Sequence, residues 1–358
     1  MCLRKIGYQN EGGLALYNSE LLPYNQAMSD TAPNKTTLGR GYAVALISAL
    51  ILSTTAIFIR YLTQTYHLPA LVLAFWRDVF VTLSVLAVLR VVKPALIRIE
   101  RGQLSFLVGY GLVLALFNSL WTLSVSLNGA AVSTVLAYCS AGFTALLGWW
   151  LLKERLDWGK GLAVAASLGG CVLVSGAYEK AAWGSNVVGI LTGIFSGLFY
   201  AIYSLMGRSA SQRGLNPWST LLYTFGFAAV FLCIFNILGK GIFPGTIQKA
   251  ADFLWLGNTW AGWGILLLLA AGPTLAGYGL YNVSLTYLPS SVANLIVSSE
   301  PAFTVVIAYF LLGERMNWAQ IGGGLLILGG VVFLRVYEGW LAGKAAPEPE
   351  AVGLSVIE

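Results

Sequence analysis

Charge is what this chain lacks most. Only 10% of its 358 residues are Asp, Glu, Lys or Arg, whereas a soluble domain needs about 25% to cover its surface. Histidine is nearly absent too. His67 is the only one, which removes most metal sites and the Ser-His and Cys-His pairs of nucleophilic catalysis. The four cysteines, Cys2, Cys139, Cys171 and Cys233, form no CxxC pair, and three lie in apolar stretches. Neither a disulfide framework nor a metal site is expected from them. No GxxxxGK[ST] loop is present, so ATP has no phosphate cradle, and there is no HExxH for a metallopeptidase. No cofactor is expected.

Apolar side chains fill the space that charge leaves. They make up 57% of the chain, and the mean hydropathy is +0.75. No soluble fold can hide this much, because surface grows too fast relative to volume. A bilayer removes the difficulty, and inside it only helices or closed barrels satisfy their peptide groups. The apolar stretches run about 20 residues without strand-like alternation, which selects helices. Ten such stretches occur, at 41–62, 69–90, 104–125, 129–151, 159–178, 187–207, 217–239, 261–286, 290–312 and 318–337. Residues 1–40 are polar and lack the apolar run of a signal peptide. Met28-Ser29-Asp30 looks like a natural start, so residues 1–27 are either native or an upstream extension. Residues 338–358, with Pro347 and Pro349, read as a disordered tail.

The net charge of +6 and the pI of 9.1 do not indicate a nucleic-acid partner, because the basic residues form no stripe. They mark topology instead. Fifteen of the 21 Lys and Arg fall on the side that holds both termini; Arg60, Lys180, Lys240, Lys249 and Arg315 fall on the other, and Arg77 lies within a stretch. This bias predicts cytoplasmic termini in a multi-pass protein of the cytoplasmic membrane. The longest external loop is then 240–260, where Trp255, Trp260 and Trp263 are expected as interfacial anchors.

The chain repeats itself. A shift of 160 residues superposes AGFTALLGWWLLKERLDW (141–158) on PAFTVVIAYFLLGERMNW (301–318), with 12 of 48 positions identical over 128–175. A shift of 148 brings Leu68-Pro69 onto Asn216-Pro217. A duplicated unit of five helices must enter the membrane from opposite sides. The expected fold is therefore all-α and integral to the membrane: ten transmembrane helices as two inverted five-helix repeats. That symmetry suits alternating access, since each half can adopt the other's conformation.

The stretch TLAGYGLYNVSLTYLPSSVANLIVSSEPAFTVVIAYFLLGERM (274–316) resembles the second-half signature of the drug/metabolite transporter superfamily, EamA type. LVLAFWRDVF (71–80) resembles its second helix, where an arginine is typical. The resemblance implies two EamA-type repeats, 41–178 and 187–337, in a secondary transporter that exports amino acids or related metabolites. It also implies that helices 3, 4, 8 and 9, with 1 and 6, surround a central cavity. The first half has Ser140-Ala141 where the second has Glu300-Pro301, so a helix break is expected only in the second half.

Charge in mid-membrane costs about 2.5–3.5 kcal/mol or more and needs a partner or a watery cavity. Arg77, Asp78 and Glu300 meet that description. Glu300 is a candidate proton or substrate-amine site, Asp78 a second proton-coupling candidate, and Arg77 a partner for a substrate carboxylate. The alternative is a purely structural Arg77–Asp78 or Arg77–Glu300 pair. Polar stripes accompany them: Thr274, Tyr278, Tyr281 and Asn282; Ser196, Tyr200 and Tyr203; Asn294 and Ser298; and Thr134 and Tyr138 at the repeat-equivalent positions. Interhelical hydrogen bonding is the competing explanation for each. On a continuous wheel Glu300 sits about 120° from the Asn294–Ser298 stripe, so these three cannot all face one centre.

Glu154-Arg155 and Glu314-Arg315 read as structural helix ends, with Asp157 and Asn317 as N-caps of the next helices. Glycines 169, 170, 322–324, 329 and 330 suit close packing of helices 5 and 10, within the chain or across a homodimer. The expected partners are a small-molecule substrate, protons and membrane lipid. An intramembrane enzyme is disfavoured for want of a metal set or an activated nucleophile. Tyrosine-rich walls with a single arginine suit a neutral, zwitterionic or aromatic solute. Sugar phosphates, nucleotide sugars and drugs are the alternatives on the same fold.

Overall fold

Leucine, valine, alanine and phenylalanine runs interrupted by single polar residues give a chain built from helices. The computed structural model describes residues 35–152, 157–180, 186–284, 287–288 and 290–345, and among these no strand is present. The helices are α1 (Lys35–Thr65), α2 (Ala70–Val92), α3 (Arg101–Asn128), α4 (Ala130–Ala137), α5 (Ser140–Leu152), α6 (Trp158–Ser175) and α7 (Val187–Gln212). They continue as α8 (Pro217–Leu238), α9 (Trp260–Leu269), α10 (Gly277–Ser284), α11 (Ser290–Val297), α12 (Glu300–Leu312) and α13 (Trp318–Ala345). Eight helical segments are long and apolar enough to cross a membrane, and Glu300–Leu312 and Trp318–Leu334 are shorter apolar helices.

Local chemistry sets the ends. Asn216 caps α8 by accepting from Trp218 N at 3.0 Å, with Pro217 in the first turn. Asp157 accepts from Lys160 N at 2.9 Å at the start of α6. Asn317 and Gln320 exchange bonds of 2.9 and 2.8 Å at the start of α13, the reciprocal cap that satisfies two orphan N–H groups. Two expected boundaries move. Helix α1 begins at Lys35, inside the expected 1–40 tail, and α13 runs to Ala345, past the expected end at 337. No strong helix breaker precedes Pro347, so the last helix has no reason to stop earlier. Residues 1–34 and 346–358, and the Glu154-Arg155 pair, lie outside the described residues.

The expected single break is in fact two. Chain direction tightens at Ser298-Ser299 between α11 and α12, where Ser299 N reaches Ile296 O at 3.0 Å. It tightens again at Tyr138-Cys139 between α4 and α5, where Tyr138 N reaches Val135 O and Cys139 N reaches Leu136 O, both at 3.1 Å. These three-residue bonds keep the N–H groups satisfied without a proline, so the missing Pro at Ala141 does not prevent the break. The two breaks are 160 residues apart, the spacing of the sequence repeat. A third irregularity is a wide turn over Ala270–Ala276 between α9 and α10, with Pro273 inside it.

Packing interleaves the early and late parts of the chain. Helix α6 lies along α13, α3 along α7 and α8, α2 along α8, and α1 along α10 and α12. Glycine permits the closest of these approaches: a Cβ on Gly170 would stand 2.6 Å from Gly323 O, and one on Gly323 would stand 2.7 Å from Gly170 O. The glycine face therefore serves contact within the chain, while Gly169, Gly322 and Gly329 face open space.

One end of the bundle is plugged with apolar side chains. Ile57, Leu62, Leu68, Val72, Val125, Ala130, Ala131, Leu256 and Leu266 form one buried cluster there. The 240–260 loop lies over it. Trp76 Nε1 donates to Phe253 O at 2.6 Å and Trp255 Nε1 to Tyr66 O at 3.0 Å, and Trp76 meets Trp263 edge-on at 5.0 Å. Trp260 is 84% exposed, as an interfacial anchor requires, but Trp255 and Trp263 also tie the loop to the helices. His67 sits exposed in the α1–α2 turn at φ 49, so the single histidine is a turn residue.

Candidate functional site

The functional candidate grows from one face of α3. Leu114, Phe117, Asn118 and Trp121 follow the i, i+3, i+4, i+7 pattern, which aligns them on one side of a helix. They form a wall of a cavity of about 220 Å³. Leu52 and Thr55 of α1, Arg77 of α2, Thr134 and Ala137 of α4, and Tyr200 and Tyr203 of α7 add to the lining. Phe225 of α8, Thr274 of the wide turn, Tyr278 and Tyr281 of α10, Val297 of α11 and Glu300 of α12 complete it. Aromatic rings dominate. Phe117 stacks on Tyr200 at 5.0 Å and on Trp121 at 6.0 Å, and Tyr200 lies within 14° of parallel to Tyr203.

Three charged residues stand at or behind this surface. Arg77 lines the cavity, with its guanidinium 5.8 Å from the Trp121 ring centre. Asp78 sits behind it, fully buried, 3.3 Å from Arg77 Nε, and accepts from Asn118 Nδ2 at 2.7 Å. The Arg77–Asp78 pair expected as one alternative is therefore formed and held by a third residue. The other alternative, an Arg77–Glu300 pair, is absent among the described residues. The neighbouring Asp78 on the same helix has captured the guanidinium. Glu300 Oε2 instead accepts from Tyr138 Oη at 2.9 Å. Two buried groups on residues that line the cavity, Trp121 Nε1 and Thr134 Oγ1, have no hydrogen-bond partner among the described residues. Unmet hydrogen-bonding capacity beside a hollow is a place where a solute or water fits.

Of the residues expected from sequence, Arg77, Thr134, Tyr138, Tyr200, Tyr203, Thr274, Tyr278, Tyr281 and Glu300 converge on this cavity. Others do not. Ser298 lines a second cavity of about 340 Å³, with Lys160, Ser204 and Arg208. The break at Ser298-Ser299 turns Glu300 towards the centre and leaves Ser298 on the other side, which resolves the 120° conflict of a continuous wheel. Asn282 lines a third cavity of about 190 Å³ and donates to its own helix at Tyr278 O, 3.0 Å away. Ser196 is fully buried and bonds Gly193 O at 2.7 Å. The side chain of Asn294 lies outside the described residues. Tyr138, Tyr200 and Val297 are shared with the second cavity, and Tyr203, Tyr278 and Tyr281 with the third. Tyrosine side chains are thus the partitions between the three hollows.

Phe117, Asn118, Trp121 and Thr55 were not expected from sequence. The signal for the first three was present, since Asn118 is the only amide in the third apolar stretch and lies on one face with Trp121. No cluster of three or more His, Cys, Asp or Glu able to hold a metal is found among the described residues.

Comparison with known proteins gives a consistent result. A model of the EamA-like transporter family matches residues 39–176 and again 187–336. A protein of Archaeoglobus fulgidus named as an uncharacterized transporter is 26% identical over 297 residues, 82% of this chain and 95% of its own length. A probable terminal-alkyne amino-acid exporter of Streptantibioticus cattleyicolor is 37% identical, but over 60 residues, 17% of this chain and 20% of its own. One solved crystal structure shares the fold with a TM-score of 0.53 at 17% identity, over 84% of this chain and 98% of that one.

Proposed function

This chain belongs to the EamA-like transporter family, and from that premise we propose that it exports small metabolites such as amino acids by alternating access across the cytoplasmic membrane. The observation that carries the reading is the aromatic cavity, which draws its walls from helices of both family-matched segments and has a carboxylate and a guanidinium on its surface. A transporter rather than an enzyme is what the family and its transporter-named relatives indicate.

In this reading the ten spans are α1, α2, α3, α4 with α5, α6, α7, α8, α9 with α10, α11 with α12, and α13. The two halves are inverted, and the matching breaks at 138–139 and 298–299 are the trace of their common origin. Broken helices are useful at mid-membrane because they expose backbone groups to a cavity. The bias of basic residues puts both termini in the cytoplasm. The plugged end with the 240–260 loop is then external, and the second and third cavities lie towards the cytoplasm. The described conformation corresponds to a closed outer path.

The lining argues for the class of solute. Glu300 offers an acceptor for an amine. Trp121 Nε1, Thr134 Oγ1 and the Arg77 guanidinium offer donors for a carboxylate or carbonyl, and flat rings lie between. A phosphate ester would need several cations, whereas Arg77 is already half-neutralised by Asp78. The partial likeness to an amino-acid exporter agrees with this assignment. Uptake into inverted vesicles across an amino-acid panel tests it: saturable uptake of amino acids supports it. Movement of phosphate esters without movement of amino acids rejects it.

A further inference from the structure

Arg60 and Glu314 stand 3.3 Å apart at the plugged end of the bundle. Glu314 follows the C-cap of α12, and its two carboxylate oxygens accept from Ala130 N and Ala131 N, each at 2.9 Å. Those are the first two residues of α4, whose N–H groups have no partner within the helix. Arg60, in the last turns of α1, donates to Val125 O and Ser126 O in the last turn of α3. Each charge therefore completes a helix end of the opposite polarity, the anion at an N-terminus and the cation at a C-terminus. Gly129 makes the corner between α3 and α4 at φ 91, and a Cβ there would stand 2.7 Å from Glu314 Oε1.

The Arg60–Glu314 pair thus joins the end of α12 to α1 and α4 directly, and to α3 through Arg60. Four residues along α3 and α4 from this point, Trp121 and Thr134 face the central cavity, about 6 Å away at 1.5 Å per residue. At the level of the pair itself Val125, Ala130 and Ala131 are packed in the apolar plug. The pair thus fixes the end of α12 against the corner of α3 and α4, beside the buried apolar cluster. Arg60 and Glu314 retain 18% and 15% side-chain exposure, so water can replace each partner when the helices part. A dry pair could not exchange in this way.

We propose that Arg60 and Glu314 form the latch of the external gate, closed here and opened to release solute. The inference rests on the transport reading above, with this end outside. The sequence carries the same residue types to the other half: the 148-residue shift brings Arg60 onto Arg208, and the 160-residue shift brings Glu314 onto Glu154, which lies outside the described residues. The latch assigned here is the external one alone.

The test reads cavity access from outside. Ala137→Cys places one thiol on the cavity wall of a chain whose native cysteines are replaced by serine or alanine, in right-side-out vesicles. A membrane-impermeant maleimide added externally then reports opening. The latch predicts slow labelling in the parent and about tenfold faster labelling for Glu314→Gln and for Arg60→Gln. The exchange Arg60→Glu with Glu314→Arg stays fast, because each charge then meets a helix end of like polarity. Arg60→Lys, the mildest variant, falls between. A parental rate in Glu314→Gln that melts and elutes as the parent overturns the proposal; if that variant does not fold, a parental rate in Arg60→Lys overturns it. Labelling needs no solute. A chain that labels as expected but transports nothing in the panel defeats the transport reading and leaves the latch standing.

Discussion

Replacing Asn118 by leucine tests the buried charge pair beside the cavity. Asn118 Nδ2 donates to Asp78 Oδ2 at 2.7 Å, and Arg77 reaches the other oxygen at 3.3 Å. A hydrogen bond to a charged group contributes about 1.5–3 kcal/mol. Leucine is similar in volume but removes the donor, leaving a fully buried carboxylate with one partner. The expected loss is about 2 kcal/mol. A chain of this size shifts its melting temperature by roughly 2 °C per kcal/mol, so Asn118→Leu should melt about 4 °C lower. Asp78→Asn strips Arg77 of its counter-charge, which costs about 3–5 kcal/mol, or roughly 6–10 °C. The double variant Asp78→Asn/Asn118→Leu should lose less than the sum, by about 1 kcal/mol or more, because both changes remove the same contact. The assay is tryptophan-fluorescence melting in detergent at a fixed scan rate, since such unfolding is often irreversible. An Asn118→Leu melting point within about 1 °C of the parent, or strictly additive losses, would refute the reasoning.

Neighbouring glycines should respond with opposite sign. Gly170→Ala drives a methyl group into Gly323 O and should cost about 1–3 kcal/mol, while Gly169→Ala meets open space and should gain up to about 1 kcal/mol from helix propensity; the same melting assay compares them. If Glu300 carries the coupling proton, Glu300→Gln should flatten the pH dependence of transport in vesicles, and an unchanged rate and pH profile would remove that role. In the 240–260 loop, the N–H groups of Lys249 and Gln248 donate to Asp252 and hold its carboxyl below the ordinary value of 3.8. A lowered value means that the stabilisation is complete above about pH 4 and is lost as pH falls through the depressed pKa. Protection of the Gln248 and Lys249 amides, measured against their intrinsic exchange rates, should therefore fall only in acid, and Asp252→Asn should abolish that change.

The helices were readable because bilayer-length apolar runs leave the chain few alternatives. Their irregularities were less so. Pro301 announced the α11–α12 break, but the α4–α5 break has no proline and rests on tightened backbone bonds at Tyr138 and Cys139. The wide turn at Ala270–Ala276 likewise depends on how Pro273 is accommodated by its neighbours. Nine of the twelve candidate residues line the central cavity, and the sequence marked them because polar groups on apolar helices are costly unless they face a cavity or one another. Phe117 and Trp121 escaped that filter, since an aromatic ring on a membrane helix gives no sign of whether it meets lipid or solute. Wheel geometry separated Ser298 from Glu300, and the two do line different cavities, but it could not say which of them faces the centre. Glu314 read as a helix end from its sequence alone; that it also ends a helix 184 residues away is a tertiary fact.

Solute counterflow in proteoliposomes tests the central claim, a central site that meets each side of the membrane in turn. Vesicles loaded with a high concentration of an amino acid that the protein carries, and given a trace of the labelled form outside, have no ATP and no ion gradient. An alternating carrier should accumulate the label transiently above its external concentration, and Tyr200→Ala should reduce that peak by removing a wall of the cavity. Label that only equilibrates, without overshoot and without saturation, would mean an open pore and contradict the account.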